Sequence, residues 1–188
     1  MTGGIAAHTR VQFVDPKAFV GSVPFPVWVW KKDVKIRGGI TGSQLVSLIT
    51  GAEGVDVGER AAHMMRDPNF VTSPKTRTVN TACCEIGDLG FSKHVTTPEL
   101  WAKFEEIGGL CPMDTGPHLR HQFMEQHVGD WAFVAMRVTN MSFTSRGVFI
   151  LGCSNDTGRK KKLWIEGCSV GDNGRWNPKL KVIIALPS

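Results

Sequence analysis

Alternating apolar and polar positions dominate the C-terminal third of the chain. Four segments follow this alternation, at 131–138, 147–153, 162–168 and 180–186. In the last of them Val182 and Ile184 share one face, whereas Lys179 and Lys181 lie on the other. Turn-forming residues at 155–158 and 171–174 separate consecutive segments. The pattern therefore predicts four sequential strands in an antiparallel meander.

Up to about residue 129 the pattern mixes the helical period with the strand period. Apolar residues at helical spacing predict three short helices, near 43–51, 56–66 and 97–107. Shorter apolar runs predict strands at 11–14, 27–30, 34–37 and 77–86, with a turn at 31–33 between the second and third. Amphipathic helices of this kind cover the apolar face of a sheet. We expect an α+β fold, with short helices packed on a mainly antiparallel sheet and a C-terminal four-strand meander.

Length and composition indicate one globular domain. The chain has 188 residues, of which 41% are hydrophobic and 21% charged, a balance that excludes a disordered protein. We predict a single domain over 1–188, with a mixed strand and helix part at 1–129 and an all-strand part at 130–188. The apolar stretch at 18–30 is short and contains two prolines, so we expect no membrane partner.

Cysteine usage indicates the compartment. The chain contains five cysteines, an odd number, and none of them forms a CxxC pair. No apolar signal segment is found in the first ten residues. We therefore expect free thiols and a cytoplasmic protein.

The charge pattern permits a polyanionic partner. The net charge is +5, and its densest cluster is the basic turn at 159–162. Two tryptophans near basic residues are expected to be exposed and able to stack on bases. A solvated loop is the alternative for the basic turn. The candidate binding residues are Arg120, Arg159, Lys160, Lys161, Lys162, Trp164 and Trp176.

The segment 111–125 holds the densest set of chemically able residues. On a helix that begins at Gly116-Pro117, His118, His121 and Glu125 share one face. Two imidazoles and a carboxylate are suitable ligands for zinc or iron, although the spacing is not HExxH. The alternative, which we favour, is a solvated polar face opposite an apolar one, and we expect no cofactor.

Two further candidate functional groups each have a purely structural alternative. Arg120 near the helix start is suited to a phosphate or carboxylate, or else it pairs with Asp114 or Glu125. The Cys83-Cys84 pair lies in a strand pattern, with one thiol expected to point inward and one outward. A nucleophilic role would need a neighbouring base, so a structural pair is favoured.

Several short motifs carry a resemblance to known sequences. They are Val23-Pro24-Phe25-Pro26-Val27-Trp28, Asp67-Pro68-Asn69-Phe70, Leu110-Cys111-Pro112, Gly116-Pro117-His118-Leu119-Arg120, Gly129-Asp130-Trp131 and Ala135-Met136. In these motifs the chain resembles a family of uncharacterised bacterial proteins. The chain departs from the family pattern at Asp114 and His118 and in its basic rather than acidic turn at 159–162. The resemblance implies a single domain and no particular activity.

Three classes of function are compatible with these patterns. The leading hypothesis is a small basic binding protein, from a mobile or phage-like genetic context, that contacts nucleic acid or an acidic protein. The first alternative is a small metal-dependent or Cys/His enzyme centred on 111–125. The second is a structural protein that self-assembles through the edge of its meander.

Overall fold

The computed structural model describes residues 28–137, 147–158 and 160–186. The predicted strand at 11–14 and the candidate Arg159 lie outside these residues. Within them the helices are α1 (Gly42–Thr50), α2 (Glu59–Arg66), α3 (Thr97–Glu106) and α4 (Thr115–Gln122), with a 3-10 helix at Ile86–Leu89. The strands are β1 (Trp28–Ile36), β2 (Val55–Val57), β3 (Arg77–Glu85), β4 (Val95–Thr96), β5 (Trp131–Val134), β6 (Gly147–Asn155), β7 (Lys161–Ser169), β8 (Arg175–Trp176) and β9 (Lys181–Ala185).

Seven of these strands form one sheet, in the order β1-β3-β9-β5-β6-β7-β2. Pairing is antiparallel except between β2 and β7 and between β5 and β9. The short strands β4 and β8 form a separate antiparallel pair. The predicted α+β class with a mainly antiparallel sheet is thus confirmed, and strands from both parts of the chain contribute to the large sheet.

The position of the last strand differs from the predicted meander. Strands β5, β6 and β7 are consecutive antiparallel neighbours, as expected. Strand β9, however, lies between β3 and β5 and runs parallel to β5. Its residues Val182, Ile183 and Ile184 are all buried, so both of its faces need cover. A strand that is apolar on both faces is suited to the centre of a sheet rather than to its edge.

The predicted hairpin at 27–37 is instead a single strand. Residues 28–36 all belong to β1, which pairs with β3 through two irregularities in register. Asp33, expected in a turn, has a positive φ of 56° at the second irregularity. Its backbone N–H donates to Asn80 Oδ1 at 2.9 Å. The polar run therefore makes a bulge within a continuous strand, because a neighbouring side chain satisfies the displaced backbone group.

Local capping explains where two of the helices begin. Thr41 and Gln44 form a capping box at the start of α1, and its cap lies two residues before Ser43, where the predicted helix begins. Thr96 and Glu99 form the corresponding box before α3, which has a proline in its first turn. Helix α2 begins after Gly58 without a side-chain cap. The predicted helix near 56–66 places its start at Asp56. In the structure Asp56 belongs to β2, and α2 begins only after that strand has ended.

The two faces of the β5–β6–β7 meander are covered differently. On the inner face, a Cβ added at Gly116 of α4 would lie 3.2 Å from Phe149 and 3.3 Å from Val134. A Cβ added at Gly167, on the same face of β7, would lie 2.6 Å from Met64 Sδ of α2. Helices α2 and α4 therefore cover the inner face. The alternate residues of the same strands, such as Trp131 and Phe133, define the outer face.

Candidate functional site

Two tryptophans lie side by side on the outer face. Trp131 of β5 pairs with Gly152 of β6, which in turn pairs with Trp164 of β7. Residues directly opposite one another in antiparallel strands project from the same face. Trp131 is 40% exposed and Trp164 is half-buried. We call Trp131, Gly152 and Trp164 the tryptophan platform.

Glycine at position 152 lets this platform lie flat. A Cβ at that position would overlap the indole of Trp164. The Trp164 ring therefore lies over the backbone of β6, toward the strand that carries Trp131. Gly152 itself is buried beneath it. The arrangement presents aromatic surface across three adjacent strands.

The basic turn flanks the platform, although acidic neighbours balance part of its charge. Lys162 lies two residues before Trp164 on the same face of β7, and its Nζ is 2.9 Å from Asp56 Oδ2. Lys161 Nζ donates to the Met124 carbonyl at 2.7 Å. Lys160 is exposed. A hollow of about 390 Å³ opens here, and its lining is Glu53, Gly54, Val55, Asp156, Lys160, Lys161 and Lys162.

Trp176 is not part of this surface, contrary to the prediction. It is 5% exposed, and its Nε1 donates to Thr97 Oγ1 at 3.0 Å. Its ring lies 5.4 Å from that of Trp101 and 4.7 Å from that of Phe133. Phe133 in turn contacts Trp131 at 5.5 Å. Trp176 thus buries its ring against Phe133 on the outer face, in a cluster that lies beside the platform.

Arg120 is a buried brace and not an exposed anion ligand. Its side chain is fully buried, and burial lowers the pKa of its guanidinium to about 10. One terminal nitrogen donates to Gln126 Oε1 at 2.6 Å and to the Gly152 carbonyl at 3.2 Å. The other donates to the Phe123 carbonyl. These bonds tie α4 to β6 and to the segment before β5, because a buried guanidinium needs acceptors for its donors.

His118 is also buried, so the predicted solvated face is wrong at this position. It is 2% exposed. Its Nδ1 lies 2.8 Å from the Asp114 carbonyl, and its Nε2 accepts from the Arg37 N–H at 3.0 Å. Both ring nitrogens are therefore engaged by the backbone. This geometry leaves no lone pair of His118 for a metal ion.

The other two members of the predicted metal set lie elsewhere. Helix α4 ends at Gln122, so Glu125 is not on the same helix as His118 and His121. Glu125 is exposed, whereas His121 is half-buried. Residues 28–137, 147–158 and 160–186 contain no group of three or more His, Cys, Asp or Glu side chains that could hold a metal ion. The i, i+3, i+7 spacing fails because the helix stops too early.

All five cysteines are free, as predicted. Cys83 and Cys84 are both buried, which corrects the expectation that one points outward. Burial raises the pKa of both thiols, and the charge of Asp88 raises that of Cys84 further. A nucleophilic cysteine needs a lowered pKa. The pair therefore packs in the core between β1 and β9.

Two groups of functional interest were not identified from the sequence. The sequence pattern places Trp131 only at the start of a strand. Its position beside Trp164 depends on the strand register, in which both residues lie opposite Gly152. Gln122 was not singled out, yet its side-chain amide bonds both backbone groups of Lys35. An exposed tryptophan in an alternating strand is a sequence signal that could have identified the first. Nothing in the local sequence indicates the second.

Comparison with known proteins identifies no matching family, curated protein or solved structure. None of the helices in the described parts of the chain is long and apolar enough to cross a membrane.

Proposed function

We propose that this protein binds single-stranded nucleic acid on the tryptophan platform. Bases stack on Trp131 and Trp164, and phosphates lie near Lys160 and Lys162. The observation that carries the proposal is the register that places two accessible indoles on one face across a glycine. Aromatic platforms beside basic residues are the usual means of binding single strands without sequence preference.

Position and charge support the same choice of ligand. Lys162 projects from the same face as Trp164 and pairs with Asp56. The side chain of Lys162 is 44% exposed and that of Asp56 is 59% exposed. Exposed pairs of this kind are weak, so a phosphate can replace the carboxylate at little cost. The net charge of +5 favours approach of a polyanion. A duplex buries the faces of its bases, so stacking on the platform requires a single strand.

The free thiols of all five cysteines support a cytoplasmic location for this activity.

The decisive experiment measures binding of fluorescently labelled twelve-nucleotide single strands of DNA and RNA by anisotropy. We expect W131A and W164A each to weaken binding about 5- to 150-fold, which corresponds to about 1–3 kcal/mol for each stacked base. The matched control is V71A, because Val71 is also exposed, at 64%, but belongs to neither the platform nor the basic turn. Unchanged affinity in both tryptophan variants would refute the proposal.

Salt and lysine variants test the phosphate contacts. If Lys160 and Lys162 contact phosphates, the logarithm of affinity should fall with the logarithm of salt with a slope of about −1.4. K160A should reduce the magnitude of that slope, whereas K75A, at an exposed lysine outside the basic turn, should not. Binding of polyglutamate that depends on the lysines but not on the tryptophans would indicate an acidic protein partner instead.

A further inference from the structure

Helix α4 occupies the outer edge of strand β1 with two side chains. His118 Nε2 accepts from the Arg37 N–H at 3.0 Å. Gln122 Oε1 accepts from the Lys35 N–H at 2.9 Å, and Gln122 Nε2 donates to the Lys35 carbonyl at 2.8 Å. His118 and Gln122 are four residues apart, so they lie on one side of α4. We call these three hydrogen bonds the edge latch.

The edge latch replaces the strand that an edge would otherwise attract. Strand β1 is the first in the sheet order and pairs on its other side with β3. Unpaired backbone groups on an edge strand are a template for pairing with another chain. The latch satisfies three such groups without a further strand. It therefore closes this part of the edge for as long as α4 stays in place.

The partners of His118 dictate its protonation state. An amide N–H can only donate, so Nε2 must carry a lone pair toward Arg37. The Asp114 carbonyl can only accept, so Nδ1 must carry the hydrogen. The latch thus requires a neutral imidazole with its proton on Nδ1. A second proton on Nε2 would point at the Arg37 N–H and break that bond.

We propose that the edge latch is pH-sensitive, and that protonation of His118 releases α4 from the outer edge of β1. The proposal is independent of nucleic-acid binding. The released edge exposes the backbone groups of Lys35 and Arg37 to solvent.

The surroundings of His118 place the switch below the ordinary pKa of histidine. Burial lowers the pKa of His118, and the charges of His121 and Arg37 lower it further. The hydrogen bond to Asp114 and the charge of that residue oppose the shift. Because the folded-state pKa is the lower one, the latch contributes its full stability above the unfolded pKa of about 6.5. That contribution is lost as the pH falls through the folded-state value.

The charges that shift the pKa of His118 come from Asp114, His121 and Arg37. Strand β1, which packs against α4, also carries Asp33 and Lys35, and both are exposed to solvent. Helix α1, which packs beside α4, carries no charged residue. The buried inner-face residues of β6 and β7 beneath α4 are Phe149, Leu151, Cys153, Leu163 and Ile165. The one thiol among them has its pKa raised by burial, so it stays uncharged at acidic pH. Arg77 reaches Asp114 only through Ser73, whose Oγ accepts from Arg77 at 2.9 Å and donates to Asp114 Oδ1 at 3.1 Å. The latch therefore responds to His118 within this cluster.

Hydrogen exchange of the Lys35 and Arg37 amides tests the proposal on the whole chain. After correction for intrinsic exchange, their protection should fall by up to about tenfold per pH unit as the pH drops below about 6.5, and it should level off once His118 is protonated in the folded state. H118Q keeps an acceptor that does not titrate, so its protection should not depend on pH. H121Q, the matched control on the same helix, should keep a pH dependence, with its midpoint slightly higher because the charge of His121 no longer lowers the pKa of His118. Equal pH dependence in H118Q and the wild type would overturn the proposal.

A second measurement needs no variant. Nitrogen chemical shifts should identify His118 at pH 7.5 as the neutral tautomer protonated at Nδ1. An imidazole protonated at Nε2, or one already charged at that pH, would overturn the proposal directly.

Q122A should lower the protection of the Lys35 amide at every pH. The substitution removes two of the three latch bonds, and the side chain that made them does not titrate.

Discussion

The inner and outer faces of the meander are built from similar residues but serve different ends. On the inner face, Phe149 is fully buried against Gly116 of α4. On the outer face, Trp131 is 40% exposed although it lies on the same three strands. The inner face is closed because two helices need its apolar surface to bury their own. An accessible aromatic pair on the outer face is not required for that packing, which makes it available for a ligand.

Polar groups follow the same division. Arg120 and His118 are buried on the helix side, and each is held by backbone carbonyls or amides. Lys160 and Lys162 are accessible on the other side, and their chemistry remains available to solvent. Burial converts a reactive side chain into a structural one, because its donors and acceptors must then be satisfied internally. The segment richest in chemical groups is for this reason the less suitable functional site.

The largest expected difference lies between two tryptophans. W176A should lower the free energy of unfolding by about 3–5 kcal/mol, because it empties a buried site and removes the bond to Thr97. W131A should lower it by less than about 1 kcal/mol, since that ring is partly exposed. Urea denaturation followed by circular dichroism measures both. Equal losses of unfolding free energy would contradict the distinction between the buried Trp176 and the exposed Trp131.

The next largest effect separates buried from exposed cations. R120A should cost about 3 kcal/mol, because it leaves the Gln126 amide and two backbone carbonyls without their donor. K160A should change stability by less than about 0.5 kcal/mol. The same denaturation experiment compares them. A loss below about 1 kcal/mol for R120A would show that the brace is dispensable.

Two glycines sharpen the comparison further. G116V should cost about 2 kcal/mol, because the added side chain meets Phe149 and Val134 in a sealed interface. G152A should cost less than about 1 kcal/mol, since the Trp164 ring that it displaces can move into solvent. It should nevertheless weaken binding of single strands by disturbing the platform. A larger stability loss for G152A than for G116V would reverse the assignment of the faces.

The smallest expected effect concerns the thiols. Cys168 is half-buried on the outer face, whereas Cys111 is buried and its pKa is raised to about 12 by that burial. Brief alkylation at pH 8 should therefore modify Cys168 first and leave the unfolding free energy nearly unchanged. Peptide mass spectrometry identifies the modified residue. Modification of Cys111 at the same rate in the folded protein would contradict its burial.

Local sequence predicted the helices and strands of this protein well where local interactions are enough to form them. Period-two alternation predicted β6 and β7 to within two residues at each end, and Thr-Pro with an apolar stripe predicted α3. These elements depend on backbone capping and on one-sided burial, which short windows of sequence record. The class of the fold and the free state of the cysteines follow from the same local evidence and from composition.

Tertiary structure alone decided which candidate residues are accessible. The pattern at 118–125 predicts a shared helical face, but it predicts neither the end of α4 at Gln122 nor the packing of α1 and β1 against this helix. The register of β6 likewise decides that Trp164 lies over Gly152, while the docking of α3 and β8 decides that Trp176 is buried. Strand order placed β9 beside β5 rather than β7. Such outcomes depend on contacts between residues far apart in the chain, and no local period encodes them.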